Sequence, residues 1–531
     1  MNERNIARRK YPPRFTSRYY GSVRAVKRSL FIWCFRTVVF AMLLASVAPG
    51  LALAHAALKS SIPAKGAHLA SLPREIRLTF TEAPELTFTR IELIGPDGAT
   101  VTLDSLRAVT DSSRVIVARI ASALSSGTYT VRWQIAGKDG HPVRGRFTFT
   151  IAAGAQGLGA GGVTGSVQGA VGDTAITPNP APTSEQHHDP VSMPESEGFD
   201  SGSPLYVVIR WLTFTGILLI LGAVAFHHLV LGFLRRKQNP DSLMLAPAST
   251  RAAAVGMWAA LGLAVVALFR LYAQSYAMHG PEQALGGGMF PMLGSTVWGW
   301  GWTLQMVAIL AALLAFREAR RGSKAAWTFA AFAALVLAFT PALSGHAASA
   351  PRLTALAILS DGLHIIGAGG WIGSLFIVLI AGIPAAMQLS EEERGGGVAE
   401  VINAFSRTAL FFAGISVVTG VFAAWLHIGT VSGLWQTGYG KTLLLKLGIL
   451  SLVAATGAYN WLRVRPSLGD VVGGQRIRRS ATVEVAIALV VLAVTAVLVA
   501  TPTAMDERMM TGDSAAALSS ERQSTSGYMP R

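Results

Sequence analysis

Eight apolar stretches succeed one another after Leu205, at about residues 205–233, 252–277, 297–316, 325–343, 354–381, 408–427, 442–462 and 481–501. Each reaches the roughly 20 residues that a helix needs to cross the hydrocarbon core of a bilayer. Hydrocarbon offers no water to the backbone, so spans of this kind satisfy their N–H and C=O groups as helices. Residues 204–502 are therefore expected to form an all-α bundle of eight transmembrane helices. Only 14% of the 531 residues are charged, against about a quarter in ordinary soluble domains, which argues against a single soluble enzyme.

Charge placement orients the bundle. The chain has 45 Lys and Arg against 29 Asp and Glu, a formal +16. Nearly all loop cations fall in alternate connections: 234–251 (Arg235, Arg236, Lys237, Arg251), 317–324 (Arg317, Arg320, Arg321, Lys324), 382–407 (Arg394, Arg407) and 463–479 (Arg463, Arg465, Arg476, Arg478, Arg479). The other loops hold only Arg352 and Lys441. Lys and Arg accumulate in cytoplasmic loops, so these four connections are expected inside, and the N-terminal region and the disordered tail 503–531 outside. The basic excess thus reports topology in a plasma membrane, with the lipid bilayer as partner and no nucleic acid.

Residues 1–54 begin with a basic run and continue into an apolar stretch ending Ala52-Leu53-Ala54, the form of a signal peptide with a long n-region. Cleavage after Ala54 makes His55 the N-terminus; an uncleaved anchor is the alternative. From 55 to 151 short runs alternate apolar and polar residues, as in Ile76–Phe80, Arg90–Ile94, Tyr129–Trp133 and Arg146–Ile151. Period-two runs separated by turns such as Pro96-Asp97-Gly98 predict a small all-β Greek-key sandwich. Residues 152–203 are rich in Gly, Ala, Ser, Thr and Pro and read as a flexible linker of about 40 Å r.m.s. span.

Cys34 is the sole cysteine, so any metal must be held by His, Met, Asp, Glu or backbone groups. An N-terminal His55 offers an amine and an imidazole. In the extended segment Asp139-Gly140-His141-Pro142 the side chains of Asp139 and His141 point to one face. Together they make the N,O-rich tetragonal set suited to Cu(II); a frayed terminus and a plain polar turn are the alternative. In the bundle, Asp361 and His364 share a helical face, and ionisable residues at membrane depth mark function by default. In the expected topology His346 lies at the outer end of the fourth helix, with Asp361 and His364 about 10 to 15 Å inward, and His427 closes the outer end of the sixth. The outer loop after the second helix adds Met278, His279, Met289 and Met292, soft ligands for Cu(I) or adaptable packing. Arg210, Arg270 and Lys446 either pair with Asp361 or snorkel to headgroups. His227, His228, Asn460 and Glu484 lie toward the inner side, as an exit or as interfacial residues. His187, His188, Asp189 and Met193 in the linker form a relay or a plain polar stretch.

Several motifs match known families. His55-Ala56-Ala57-Leu58, Ser60-Ser61-Ile62-Pro63-Ala64, Gly127 to Trp133 and Asp139 to Gly145 resemble the CopC family of periplasmic copper-binding proteins, whose fold is a cupredoxin- or Ig-like sandwich. The resemblance implies that His55, Asp139 and His141 bind Cu(II). No Met occurs between Met42 and Met193, so the Met-rich Cu(I) loop of some members is missing. Ser344-Gly345-His346-Ala347, Asp361-Gly362-Leu363-His364 with Ala368 and Trp371-Ile372-Gly373, Phe405-Ser406-Arg407, Tyr439-Gly440-Lys441 with Lys446, and Glu484 are similar to the CopD family. That resemblance implies copper movement across a bacterial inner membrane, in resistance or acquisition.

The expected function is external copper capture followed by copper transport, with import as the direction the resemblance implies. A periplasmic copper donor or a cytoplasmic acceptor would serve as partner. No Gly-x-x-x-x-Gly-Lys-Ser/Thr sequence occurs, so ATP-driven pumping is not expected, and the chain is not expected to be an enzyme. The alternatives are a membrane-anchored copper buffer or sensor, and a copper or haem redox protein.

Overall fold

The structure, a computed structural model, describes residues 58–156 and 203–503, apart from breaks at 82, 110–111, 137–141, 238–242, 280–283, 287–288, 344–352, 461, 463–470 and 502. The expected signal peptide, His55, Asp139, His141, His346, the four linker residues His187, His188, Asp189 and Met193, and nearly all of the tail lie outside the described residues.

Nine strands make two sheets: β1 (Leu58–Ile62), β2 (His68–Ser71), β3 (Glu75–Phe80), β4 (Arg90–Ile94), β5 (Thr100–Val101), β6 (Arg107–Val109), β7 (Ser112–Arg119), β8 (Gly127–Ala136) and β9 (Pro142–Gln156). One sheet has the order β1-β3-β7-β6 and the other β2-β9-β8-β4-β5. Alternation in the sequence becomes alternation in space. In β3 the side chains of Ile76, Leu78 and Phe80 are buried while Glu75, Arg77 and Thr79 are only partly so. They meet Tyr129, Val131, Trp133 and Ile135 of β8 and Phe147, Phe149 and Ile151 of β9 in one core, where each large side chain removed from water contributes about 1.5–3 kcal/mol. Phe80 and Trp133 join the two sheets edge to face, with ring centroids 5.4 Å apart. Gly145 is paired with Trp133 across β8 and β9. A Cβ there would lie 2.9 Å from the indole Nε1, so glycine is what lets the ring lie over β9.

Ten helices follow among the described residues: α1 (Pro204–Lys237), α2 (Leu245–His279), the short α3 (Met289–Ser295), α4 (Val297–Arg320), α5 (Lys324–Leu343), α6 (Thr354–Ala386), α7 (Glu391–Ile428), the short α8 (Gly433–Gln436), α9 (Gly438–Tyr459) and α10 (Val471–Leu498). Eight of them, all but α3 and α8, are long and apolar enough to cross a membrane. Large side chains such as Trp258, Phe269, Phe329 and Phe332 stand exposed on their outer surfaces, as expected where the solvent is lipid. Starts are set by local chemistry: Ser203, Thr296 and Thr437 each accept a hydrogen bond from a backbone N–H in the first turn of α1, α4 and α9, the usual N-cap bond.

Helix α1 is the centre of the bundle, packing against α2, α5, α6 and α10. Its contact with α6 is backbone to backbone: a Cβ on Gly222 would collide with the main chain of Gly373, and one on Gly373 with the carbonyl of Leu218. Small residues at a membrane-helix crossing permit this approach. π-Helical turns interrupt the spans at Phe226–Leu231 in α1 and at Gly369–Gly373 and Val378–Gly382 in α6. The sandwich sits on the ends of α2 and α4, where Phe88 and Ala136 join Leu271, Met278, Met292, Trp298 and Trp302 in a buried cluster.

Gly222→Val is expected to lower the thermal midpoint of the detergent-solubilised protein, since overpacking costs about 1–3 kcal/mol. Gly448→Ala is expected to leave it unchanged or slightly raised, because a Cβ there meets nothing within 4 Å.

Candidate metal site

The antiparallel run of the spans brings the N-terminal parts of α6 and α9 and the C-terminal part of α7 to the same end of the bundle as the sandwich. Asp361 and His364 stand on α6, Thr419 and His427 on α7, and Tyr439 and Lys446 on α9. Helices α6 and α7 pack closely along small residues. A Cβ on Gly420 would lie 3.2 Å from His364 Cε1, and one on Gly370 would run into the Phe412 ring. Helix α9 lies along α10 and reaches the other two helices through side chains. Tyr439 stacks near His427 at a ring separation of 6.0 Å. Asp361 interacts electrostatically with His427 and Lys446, and Lys446 also with His364.

Hydrogen bonds assign the ring nitrogens. Thr419 Oγ1 donates to the Ile415 carbonyl at 2.7 Å, so toward His364 Nδ1, at 3.0 Å, the hydroxyl is the acceptor and Nδ1 carries the proton. His427 Nδ1 lies 2.7 Å from the Ala423 carbonyl, which only accepts, so here too the proton is on Nδ1. His279 repeats the pattern with the Ser275 carbonyl at 3.2 Å. For His427 and His279 this leaves Nε2 unprotonated, the arrangement by which an outer-shell acceptor orients a metal-binding imidazole; the His364 ring also bonds the Ser416 backbone. Ser416 Oγ, also on α7, is buried without a hydrogen-bond partner.

Among the described residues, no three His, Cys, Asp or Glu side chains are gathered closely enough to hold a metal ion. Asp361, His364 and His427 therefore form a loose polar cluster between α6, α7 and α9 rather than a closed cage. His279 stands apart, at the boundary with the sandwich, where its ring meets Phe88 edge to face at 6.1 Å. Met278 and Met292 are buried there among aromatic side chains, and Met289 is packed against that cluster.

The remaining polar residues are engaged elsewhere. Arg210 lies over the Tyr206 ring at 4.7 Å. Arg270 lies over Trp298 at 5.4 Å and donates to Gln305 Oε1 at 3.0 Å; of the three membrane cations, Lys446 is the one facing Asp361. At the far end of the bundle His227 uses both nitrogens, Nδ1 donating to Ser249 Oγ at 3.0 Å and Nε2 accepting from Arg235 at 3.3 Å. Its ring stacks on Trp327 at 3.8 Å, and His228 donates to the Trp327 carbonyl at 3.2 Å. Asn460 donates to Glu484 Oε2 at 3.3 Å. Sequence reading missed Thr419; its signal was the spacing Thr419, Ala423, His427 in steps of four, which places all three along one side of α7.

A β sandwich set on a bundle of eight apolar spans, with His and Asp side chains clustered inside the bundle, defines a membrane-embedded protein with an N-terminal β domain. Three family models match the chain: CopC domain over residues 58–152, copper resistance protein D-like N-terminal domain over 199–353, and copper resistance protein D over 399–498. Asp361 and His364 fall between the last two segments. Copper transport protein CutJ of Bacillus subtilis (strain 168) is 26% identical over 462 residues, covering 86% of this chain and 75% of that protein. Protein YobA of Escherichia coli (strain K12) is 36% identical over 99 residues, 18% of this chain and 79% of that protein. Copper resistance protein C of Escherichia coli is 30% identical over 114 residues, 19% of this chain and 83% of that protein. The chain belongs to the CopC–CopD fusion family of copper resistance and copper transport proteins, and is a multi-pass membrane protein that handles copper.

In protein labelled with 15N-histidine, Thr419→Val is expected to move His364 from a pure Nδ1–H tautomer to a mixture, read from its ring-nitrogen shifts. Thr419→Ser is expected to keep the wild-type spectrum.

Proposed function

We propose that the chain captures Cu(II) outside the cell membrane on its β sandwich and passes copper through the bundle toward the cytoplasm. The ligands at the sandwich are His55, with its terminal amine, Asp139 and His141, the set that the CopC resemblance carries onto this sequence. Alternating loop charge orients the sandwich and the near ends of α2 and α4 to the periplasmic side of a bacterial inner membrane. His346 and His279 would stand at the outer mouth, with Met278, Met289 and Met292 as soft contacts for reduced copper. From there copper passes Asp361, His364 and His427.

The observation that carries this reading is the pair of half-buried imidazoles, His364 held by Thr419 and His427 held by the Ala423 carbonyl, which share with Lys446 the surroundings of the membrane carboxylate Asp361. An ionisable cluster at this depth is costly to maintain for structure alone. The donors are also few enough to let an ion leave, as conduction requires. Lys446 balances the charge of Asp361 and so keeps the site tolerable in lipid between ions. The name of the Bacillus relative, a copper transport protein, points the same way.

Cellular copper in a host lacking its own uptake tests the reading. Accumulation is expected to rise with the wild-type chain and to fall to the host background with either His55→Ala plus His141→Ala or Asp361→Ala plus His364→Ala. The second variant is expected to keep the Cu(II) spectrum of the sandwich. If it accumulates copper as well as wild type, the chain is an anchored buffer and not a transporter.

A further inference from the structure

The sandwich meets the bundle through charges matched to helix ends. Gln134 and Arg144 face each other across β8 and β9, two pairs before the last pair, Ala136 with Pro142. Arg144 Nε donates to Gln134 Oε1 at 2.8 Å and its Nη2 to the Ala277 carbonyl at 2.9 Å. Gln134 Nε2 donates to the Met278 carbonyl at 3.1 Å. Ala277 and Met278 belong to the last turn of α2, where carbonyls lack intrahelical partners and the negative end of the helix dipole lies. On the other side Glu85 Oε1 accepts from the Val297 N–H at 3.2 Å, in the first turn of α4, where the partial charge is positive. A cation thus caps one helix C-terminus while a carboxylate caps the neighbouring N-terminus. Reversing the domain on its seat would set both charges against like polarity.

We infer that Gln134, Arg144 and Glu85 are positioning residues for copper transfer: they fix the β8–β9 hairpin in one orientation on α2 and α4, so that copper bound by the sandwich is delivered at one place. This rests on the transport reading above. A covalent tether by itself limits how far a domain strays but does not set its orientation; two polarity-matched caps do. Phe88 and Ala136, packed between the caps against Met278 and Met292, supply contact area without directional preference.

Copper uptake by full-length protein in proteoliposomes, measured against external Cu(II) concentration, tests this, with hydrogen exchange at the Val297 amide followed on the same samples. Glu85→Lys with Arg144→Glu is expected to speed that exchange and to keep the Cu(II) EPR spectrum of the sandwich. It is also expected to raise the half-saturating copper concentration about 10-fold or more, the scale on which local concentration acts, with the maximal rate retained. Glu85→Asp with Arg144→Lys is expected to restore half-saturation toward wild type. An unchanged half-saturation in the charge-reversed variant overturns the inference, whether or not the amide exchanges faster. A wild-type protein that takes up no copper defeats the transport reading instead, and the Val297 exchange rate then decides alone whether the caps hold the domain.

Discussion

Helices in lipid gain little by hiding apolar side chains from surroundings that are equally apolar, so they hold together by close packing. The closest packing in this bundle is the glycine contact between α1 and α6, where Gly222 and Gly373 let the two main chains touch. Helix α1 also touches α2, α5 and α10, so this crossing ties both halves of the bundle to one axis. It also places α6. The π turn at Gly369–Gly373 sits at the crossing and widens one turn of the helix, which offsets the face carrying Asp361 and His364 from the face that continues below. A Cβ at the crossing would push against α6 on the same helix that carries Asp361 and His364.

The cluster around Asp361 shows how polar groups are kept in an apolar bundle. Thr419 satisfies both its own helix and His364; Ala423 gives His427 a carbonyl; Lys446 and Asp361 answer each other's charge. At the far end His227, with Ser249, Arg235 and Trp327, has both ring nitrogens bound and serves as a lock between α1, α2 and α5. His427, by contrast, is held at Nδ1 by the Ala423 carbonyl.

Much of the architecture was legible in the sequence because burial imposes periods. The eight spans were visible as apolar runs, and β3, β4, β8 and β9 as alternations. Other features were hidden because they depend on neighbours in space. The apolar run of the sixth span begins near residue 408, yet α7 starts at Glu391. Its Gly395-Gly396-Gly397 looks like a loop, but Gly397 is buried against Leu389 and Met244 and tertiary packing outweighs the glycine penalty. Asp361 and His364 stood out as ionisable residues in a span, whereas which nitrogen of His364 carries the proton needed α7 to be seen. Met278 and Met292 have the chemistry of soft ligands and also of core residues, and the aromatic cluster around them is a property of folding that composition does not record. Gln134, Arg144 and Glu85 look like any polar residues at strand ends until the helix termini beneath them are in view.

The seat of the sandwich is small, a few aromatic and sulfur-bearing side chains between two polar caps. Two freely diffusing proteins joined by so slight a contact would part readily. Covalent fusion removes that difficulty, because the association entropy is met once, when the chain is made. Selection on this interface can then act on aim instead of grip.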